Sequence, residues 1–336
     1  TPLYSSAASD VYKRQPTVSV IIPTYNYGRL IGEAIESVIN SNFPQEEVEI
    51  VIVDDGSTDD TEERIKVYSD RVNYIFQENA GKAQATRVAI ENTHGRYIFN
   101  LDADDFFLPN KLRTTVECFE SDSELTHVGH PALFWNVDTN TETSEEIPQE
   151  ILGKKILGKD LLTYFYRRRI LFGGGSTFAA RADVMKALPI PREVDMYMDE
   201  YLLLTTLNQG YSFLLEEPLS IWRIHTANFS QNKSADSYKL QRSLNSVEAV
   251  LKQMSVLDFD EELRRLYQLK TMSLSLAIKE QLEQKTWSDI MHLLRCMSDN
   301  ARFFGWDIVE IVKNQHLLNR ILPTPVIKLL KQNSAS

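Results

Sequence analysis

Hydrophobic positions fall along this chain in two registers. Between Thr17 and Asp105 four near-continuous apolar runs, TVSVIIPTY, VEIVIVDDGS, VNYIFQEN and RYIFNLDADD, alternate with stretches of helical spacing. A strand that is apolar at successive positions must be covered on both faces, as in a parallel sheet, whereas a half-exposed strand alternates. The intervening segments supply the covering helices. NYGRLIGEAIESVINSNF sets Leu30, Ile31, Ala34, Ile35, Val38 and Ile39 on one helical face. STDDTEERIKVYSD predicts a helix capped by Ser or Thr with acids in its first turn, and a third helix is expected from Lys82 to Gly95. Pro109 suits the first turn of a fourth.

The predicted class is therefore α/β, an open, mostly parallel sheet flanked by helices. Beyond residue 125 the pattern weakens. LTHVGHPALFWNVDT and GGGSTFAARADVM suggest further strands around a Gly-rich bend, and YSFLLEEPLSIWRIH suggests another pair. From Ser234 onward the spacing is helical throughout: Leu240, Leu244, Val247, Leu251 and Met254 recur at three- and four-residue intervals, as do Ile290, Leu293 and Met297. The polar stretch NFSQNKSADS reads as a linker, which divides the chain into a leader (1–15), an α/β domain (16–231) and a helical C-terminal extension (232–336).

In open α/β sheets the ligand crevice lies beyond the carboxyl ends of the strands. That is where this chain concentrates its polar groups: Thr24, Tyr25 and Asn26 after the first run, Asp54 and Asp55 after the second, Glu78 and Asn79 after the third, Asp102, Asp104 and Asp105 after the fourth. Carboxylates pointing into one cleft raise one another's pKa unless a cation sits between them. Hard oxygen donors of this kind suit Mg²⁺ or Mn²⁺ completed by substrate phosphates. Equally, an isolated D-x-D can do no more than start a loop or cap a helix.

Charge and composition narrow the partners. The 336 residues carry 36 Lys and Arg against 47 Asp and Glu, a net charge of −11, which disfavours sequence-independent binding to nucleic acid. Cys118 and Cys296 have no metal-ligand or disulfide spacing. No apolar run reaches the length of a membrane span, so a cytoplasmic location, extending to the inner face of the cell membrane, is expected. A segment such as LLNRILPTPVIKLLK, Leu317 to Lys331, could make peripheral membrane contact or pack on the helical extension. The run Arg167, Arg168 and Arg169 reads as a solvated helix end or a docking point for phosphate.

The segments VSVIIPTYN, VIVDDGSTDDT, ENAGKAQATRVAIENTHGRYIFNLDADD and LPNKL, in this order and spacing, resemble the inverting nucleotide-sugar glycosyltransferases of family 2, which have the GT-A fold. The resemblance covers residues 17–112 closely and continues more loosely to 230 through GGGSTFAARADVMKALPIP, MDEYLLL and EEPLSIWRIHTANFS; the helices after residue 234 fall outside it. It implies that Thr24 and Tyr25 border the nucleoside, that Asp55 accepts a hydrogen bond from the base, and that Asp54 supports that loop. Asp102 would lie by the ribose or a metal-bound water, and Asp104 would bind a Mn²⁺ or Mg²⁺ ion bridging the diphosphate. Arg87 would face the donor, with Lys82 as a second candidate, and His225 matches a late histidine that joins the metal or diphosphate in many relatives. Asp105 would be a loop or cap residue.

Inverting transfer also needs a carboxylate on the acceptor side to take the hydroxyl proton. Asp199 in YMDEYLLL aligns with the family's base. The family often has Glu-Asp here and this chain Asp-Glu, which leaves Glu200 as a rival and Asp195 as a more distant one. The resemblance implies a donor, commonly a UDP-sugar, and a saccharide or lipid-linked acceptor, as in polysaccharide or cell-envelope glycan synthesis. Alternatives are a nucleotidyltransferase, although PTYNYG lacks the Gly-rich basic signature of that class, and a catalytically degenerate nucleotide-sugar-binding scaffold. Phosphatases and response regulators place their acids after the first strand, which does not fit.

Overall fold

The computed structural model describes residues 15–168, 174–225 and 237–314. The expected leader, the central part of the linker, Arg169 and the segment Leu317 to Lys331 lie outside, wholly or but for Gln15, the described residues. The α/β part runs β1 (Val18–Thr24), α1 (Ile31–Ile39), β2 (Val48–Asp54), α2 (Thr61–Lys66), β3 (Asn73–Phe76), α3 (Lys82–Glu91), β4 (Tyr97–Asn100), β5 (Phe106–Phe107), α4 (Lys111–Ser121), β6 (Leu125–Gly129), β7 (Ala132–Asn136), β8 (Thr141–Ser144), β9 (Lys155–Leu157), α5 (Gly158–Arg168), β10 (Ala179–Arg181), α6 (Ala182–Ala187), α7 (Met198–Leu207), β11 (Tyr211–Leu214) and β12 (Ser220–Ile224). Four helices follow: α8 (Ser237–Val256), α9 (Glu261–Gln281), α10 (Trp287–Phe304) and α11 (Ile308–Asn314).

The main sheet has eight strands in the order β3-β2-β1-β4-β10-β6-β11-β9. β1 pairs in parallel with both β2 and β4, so the chain moves outward through β2 and β3 and then returns to the other side of β1. That reversal opens a crevice at the carboxyl ends of β1 and β4, where the polar clusters lie. All seven residues of β1 are buried, as the continuous apolar run requires. α1 covers one face through Ile31, Ala34, Ile35 and Val38, and each fully buried Ile contributes roughly 1.5–3 kcal/mol.

A second sheet, in the order β5-β12-β7-β8, stands beside the crevice. It holds the loop after β4 against the end of β12. The segment YSFLLEEPLSIWRIH does form two strands, but they do not pair with each other. β11 joins β6 and β9 in the large sheet, whereas β12 joins β5 and β7 in the small one. α2 is shorter than its sequence suggests, and its N-cap is Asp60, without a side-chain capping bond.

The helical extension packs directly on the α/β layer. One apolar core runs from Ile21, Val51 and Ile98 of the sheet through Phe165, Tyr201 and Leu204 to Val250, Leu263, Leu266 and Leu293 of the C-terminal helices. Polar ties reinforce it: Arg242 of α8 bonds Asp195, and Arg167 of α5 donates to Glu262 at 2.6 Å and to Asp307 at 3.0 Å. Within the basic run Arg167 is an interhelical anchor and Arg168 lies over the Tyr164 ring. Among the described residues no helix is long and apolar enough to cross a membrane.

Candidate active site

The ends of β1, β2 and β4 build the floor of the crevice. Thr24 is buried at the end of β1 and its hydroxyl has no hydrogen-bond partner among the described residues, while Tyr25 beyond it is exposed. Asp54 is fully buried and works as a turn anchor, accepting from the Ser57 amide at 2.8 Å and the Tyr74 hydroxyl at 3.0 Å. Asp55, 4% exposed, accepts from the Gln77 side chain at 2.7 Å and from the amides of Ala80 and Gly81 at 2.8 Å each. Both its oxygens thus already hold the loop before α3. Gly81 sits there with φ +95°, and a Cβ at this position would meet Asp195.

The D-x-D-D run separates into distinct environments. Asp102 receives Lys82 Nζ at 2.9 Å, and its amide donates to Ser176 Oγ. Asp104 lies 3.3 Å from His225 Nε2, which β12 brings back across the crevice. Burial, then the charge of Asp102, raises the Asp104 pKa above the ordinary carboxylate range. Tyr27 hydrogen-bonds the same carboxylate, and burial raises its phenol pKa. Asp105 is no helix cap. It accepts from Ser176 Oγ at 2.6 Å and from the Arg223 amide at 3.0 Å, and so ties the loop after β4 to the 174–177 turn and to the small sheet.

Beneath this run lies a buried polar cluster. Lys111, from the LPNKL segment, donates to His130 Nε2 at 2.5 Å and to the Ser176 carbonyl at 2.8 Å, above the Phe107 ring. Burial pushes its amine well below the ordinary lysine pKa. Its position therefore serves the Ser176 turn from below. Gly175 in that turn passes so close to Asn100 and Asp102 that an added Cβ would stand 2.3 Å from Asn100 Nδ2.

The first turn of α7 brings Asp199 into the same cleft. Asp199 Oδ2 lies 2.9 Å from Lys82 Nζ, so Lys82 bridges Asp102 and Asp199. Burial would lower the Lys82 pKa, but the flanking carboxylates hold it above its ordinary value. Burial raises that of Asp199, with Lys82 opposing and Asp102 adding to the rise. The second oxygen, Oδ1, is buried without a hydrogen-bond partner among the described residues and lines a small cavity with Asn100 and His127. The His127 imidazole is held neutral, its pKa lowered to about 3 by burial and by Lys111.

The two rival bases point elsewhere. Glu200 turns away from the crevice into the contact between α5 and α9, where Tyr166 donates to it at 2.6 Å and Lys270 pairs with it. Asp195, in the 3₁₀ segment Arg192–Tyr197, is held by Arg242 of α8. Arg87 is the residue expected to face the donor. It lies about 140° around α3 from Lys82 at 3.6 residues per turn, and it bonds Gln84 and Glu91 on its own helix. Lys82, the second candidate, is the cation that meets the acids.

Among the described residues no three His, Cys, Asp or Glu side chains gather closely enough to enclose a cation by themselves. Asp104 and His225 offer one carboxylate and one imidazole on facing walls of the cleft. Such a pair fits Mn²⁺ or Mg²⁺ held jointly with substrate phosphates and water, not a closed all-protein cage.

Comparison with known proteins bears on this architecture directly. Residues 19–187, half of the chain, match Glycosyl transferase family 2. An uncharacterized glycosyltransferase of Nostoc sp. is 33% identical over 219 residues, which cover 63% of this chain and 66% of that protein. The structure of Staphylococcus aureus TarS 1–349 in complex with UDP-GlcNAc superposes with a TM-score of 0.60 at 15% identity, over 90% of this chain and 92% of that one. The mannosyltransferase PcManGT from Pyrobaculum calidifontis, in complex with GDP-Man and Mn²⁺, gives 0.54 at 16% identity over 91% and 87%. Both likenesses show the GT-A fold. The chain spans just under two thirds of the Nostoc relative's length. With the family match over half its residues and the fold in agreement, the chain belongs to glycosyl transferase family 2.

Proposed function

We propose that this glycosyltransferase transfers a sugar, with inversion, from a nucleotide diphosphate sugar to an acceptor hydroxyl. The observation that carries the reading is the convergence of Asp199, from α7, with Asp102, from the end of β4, on one lysine, with Asp104 and His225 beside them. Thr24, Tyr25 and the Asp55-braced loop border the nucleoside. Asp55 has both oxygens engaged by that loop, so its part is chiefly to shape the base pocket, with its remaining lone pairs open to the base and Asp54 fixing the turn beneath. Asp104 and His225 would hold Mn²⁺ or Mg²⁺, which supplies positive charge to the leaving diphosphate.

On the acceptor side Asp199 takes the hydroxyl proton. The acceptor oxygen forms its bond to the anomeric carbon as the bond to the diphosphate breaks, and the electron pair leaves with the diphosphate. A carboxylate is a weak base toward a free alcohol, but the hydroxyl becomes acidic as its new bond forms, so a positioned Asp suffices. UDP-sugars are the donor class we favour, because TarS, whose fold this chain shares, binds UDP-GlcNAc. A saccharide or lipid-linked acceptor in cell-envelope or polysaccharide synthesis fits an open cleft beside Asp199.

The test is a panel of nucleotide sugars incubated with Mn²⁺ and candidate acceptors, the product read by NMR. A product whose new glycosidic bond keeps the donor's anomeric configuration would remove the inverting mechanism and the base with it. Binding of GDP-sugars in preference to UDP-sugars would replace the donor.

A further inference from the structure

In the free protein Asp199 is already paired. Asp199 has two oxygens, and its side chain is 36% exposed in the cleft. Oδ1 is buried against the cavity lined by Asn100 and His127, without a hydrogen-bond partner among the described residues. Oδ2 is taken by Lys82, whose ammonium also bonds Asp102. A hydroxyl entering the cleft therefore meets Asp199 at Oδ2 and competes there with Lys82.

Lys82 is suited to move. It is the first residue of α3, next to Gly81 with its positive φ, and its four-carbon stem lets the ammonium swing without a change in the helix. Its side chain is 35% exposed, on the cleft side. The Asp102 it grips stands beside Asp104, where the leaving diphosphate is placed in the reading above. A diphosphate carries more charge than either carboxylate and offers several acceptor oxygens to one ammonium. Once it is bound, the contact between Lys82 and Asp199 is the weaker competitor, because a half-exposed Lys–carboxylate pair contributes little.

We propose that Lys82 is a positioning residue that pairs with Asp199 in the free enzyme and exchanges it for the donor diphosphate, so that donor binding frees Oδ2 for the acceptor hydroxyl. The proposal rests on Asp199 being the base. Lys82 would act twice, first as the partner of Asp199 and then as a ligand of the leaving group.

Competition for one ammonium has a signature that a purely structural lysine lacks. Calorimetry with inorganic diphosphate and separately with UDP, each with Mn²⁺, would be run on the wild type, Asp199→Asn, Lys82→Met and the double variant, with thermal melts confirming that all are folded. Removing the carboxylate charge should release Lys82, so Asp199→Asn should bind diphosphate about threefold more tightly. Lys82→Met should bind it roughly tenfold more weakly. In the Lys82→Met background the Asp199→Asn gain should vanish. A gain that persists without Lys82 would be plain relief of charge repulsion and would overturn the exchange, as would no gain in the single variant. Should Lys82→Met not fold, Lys82→Gln takes its place in the same cycle. The underlying readings fail separately. Retained turnover in Asp199→Asn removes the base assignment, and tight binding of inorganic diphosphate without binding of UDP removes the nucleotide.

Discussion

The strand-end cleft and the contact between α7 and the C-terminal helices treat buried charge in opposite ways, and they meet at two neighbouring residues. On the cleft side Asp102, Asp104 and Asp199 share one lysine and a histidine, and burial raises the pKa values of Asp104 and Asp199. On the other side Glu200 is enclosed by Lys270, Tyr166 and Tyr267. The first arrangement leaves negative charge in excess, which a ligand can balance. The second is closed, with its charge already matched. An acid short of partners in a cleft points to chemistry, while an acid fully paired between helices points to architecture.

Substitutions can break that contrast. The largest effect is expected at Asp104, where Asp104→Ala should abolish transfer and remove the Mn²⁺ dependence of UDP binding; calorimetry with Mn²⁺ and with EDTA checks it. Next comes Asp199→Asn, which should lower turnover by about 10²- to 10⁴-fold while leaving the melting temperature nearly unchanged. Glu200→Gln should do the reverse. Its loss of charge leaves Lys270 buried and poorly matched, so urea unfolding should show a loss of about 3 kcal/mol, with turnover of the folded enzyme kept within a few-fold. If Glu200→Gln instead abolished turnover without loss of stability, the two roles would be exchanged. The smallest effect is expected for Arg87→Ala, whose side chain bonds only its own helix; an exposed pair at i,i+4 is worth about 0.3–0.5 kcal/mol, and donor affinity should stay the same.

Much of the cleft could be read from the chain because a parallel sheet writes its geometry into sequence. Continuous apolar runs mark doubly covered strands, and the polar residues that end them must gather at one edge. Asp54, Asp55, Asp102 and Asp104 follow from that rule. What supports them does not. Ser176, Lys111 and His130 tie the floor together across separations of 65 and 19 residues, and nothing local distinguishes a buried lysine from a solvated one. The choice between Asp199 and Glu200, and between Lys82 and Arg87, turned on which face of a helix meets the sheet. Periodicity shows that a face exists without saying what lies opposite it.

The continuous core has a consequence for how the molecule comes apart. Because Val250, Leu263 and Leu266 pack in the same cluster as Ile21, Val51 and Ile98, the helices cannot peel away without exposing the underside of the sheet. Heat or denaturant should therefore meet one cooperative unit in place of two independent ones, and the most protected backbone amides should be found on both sides of the linker. A cell that degrades this enzyme would have to unfold the catalytic layer and its helical buttress in the same event.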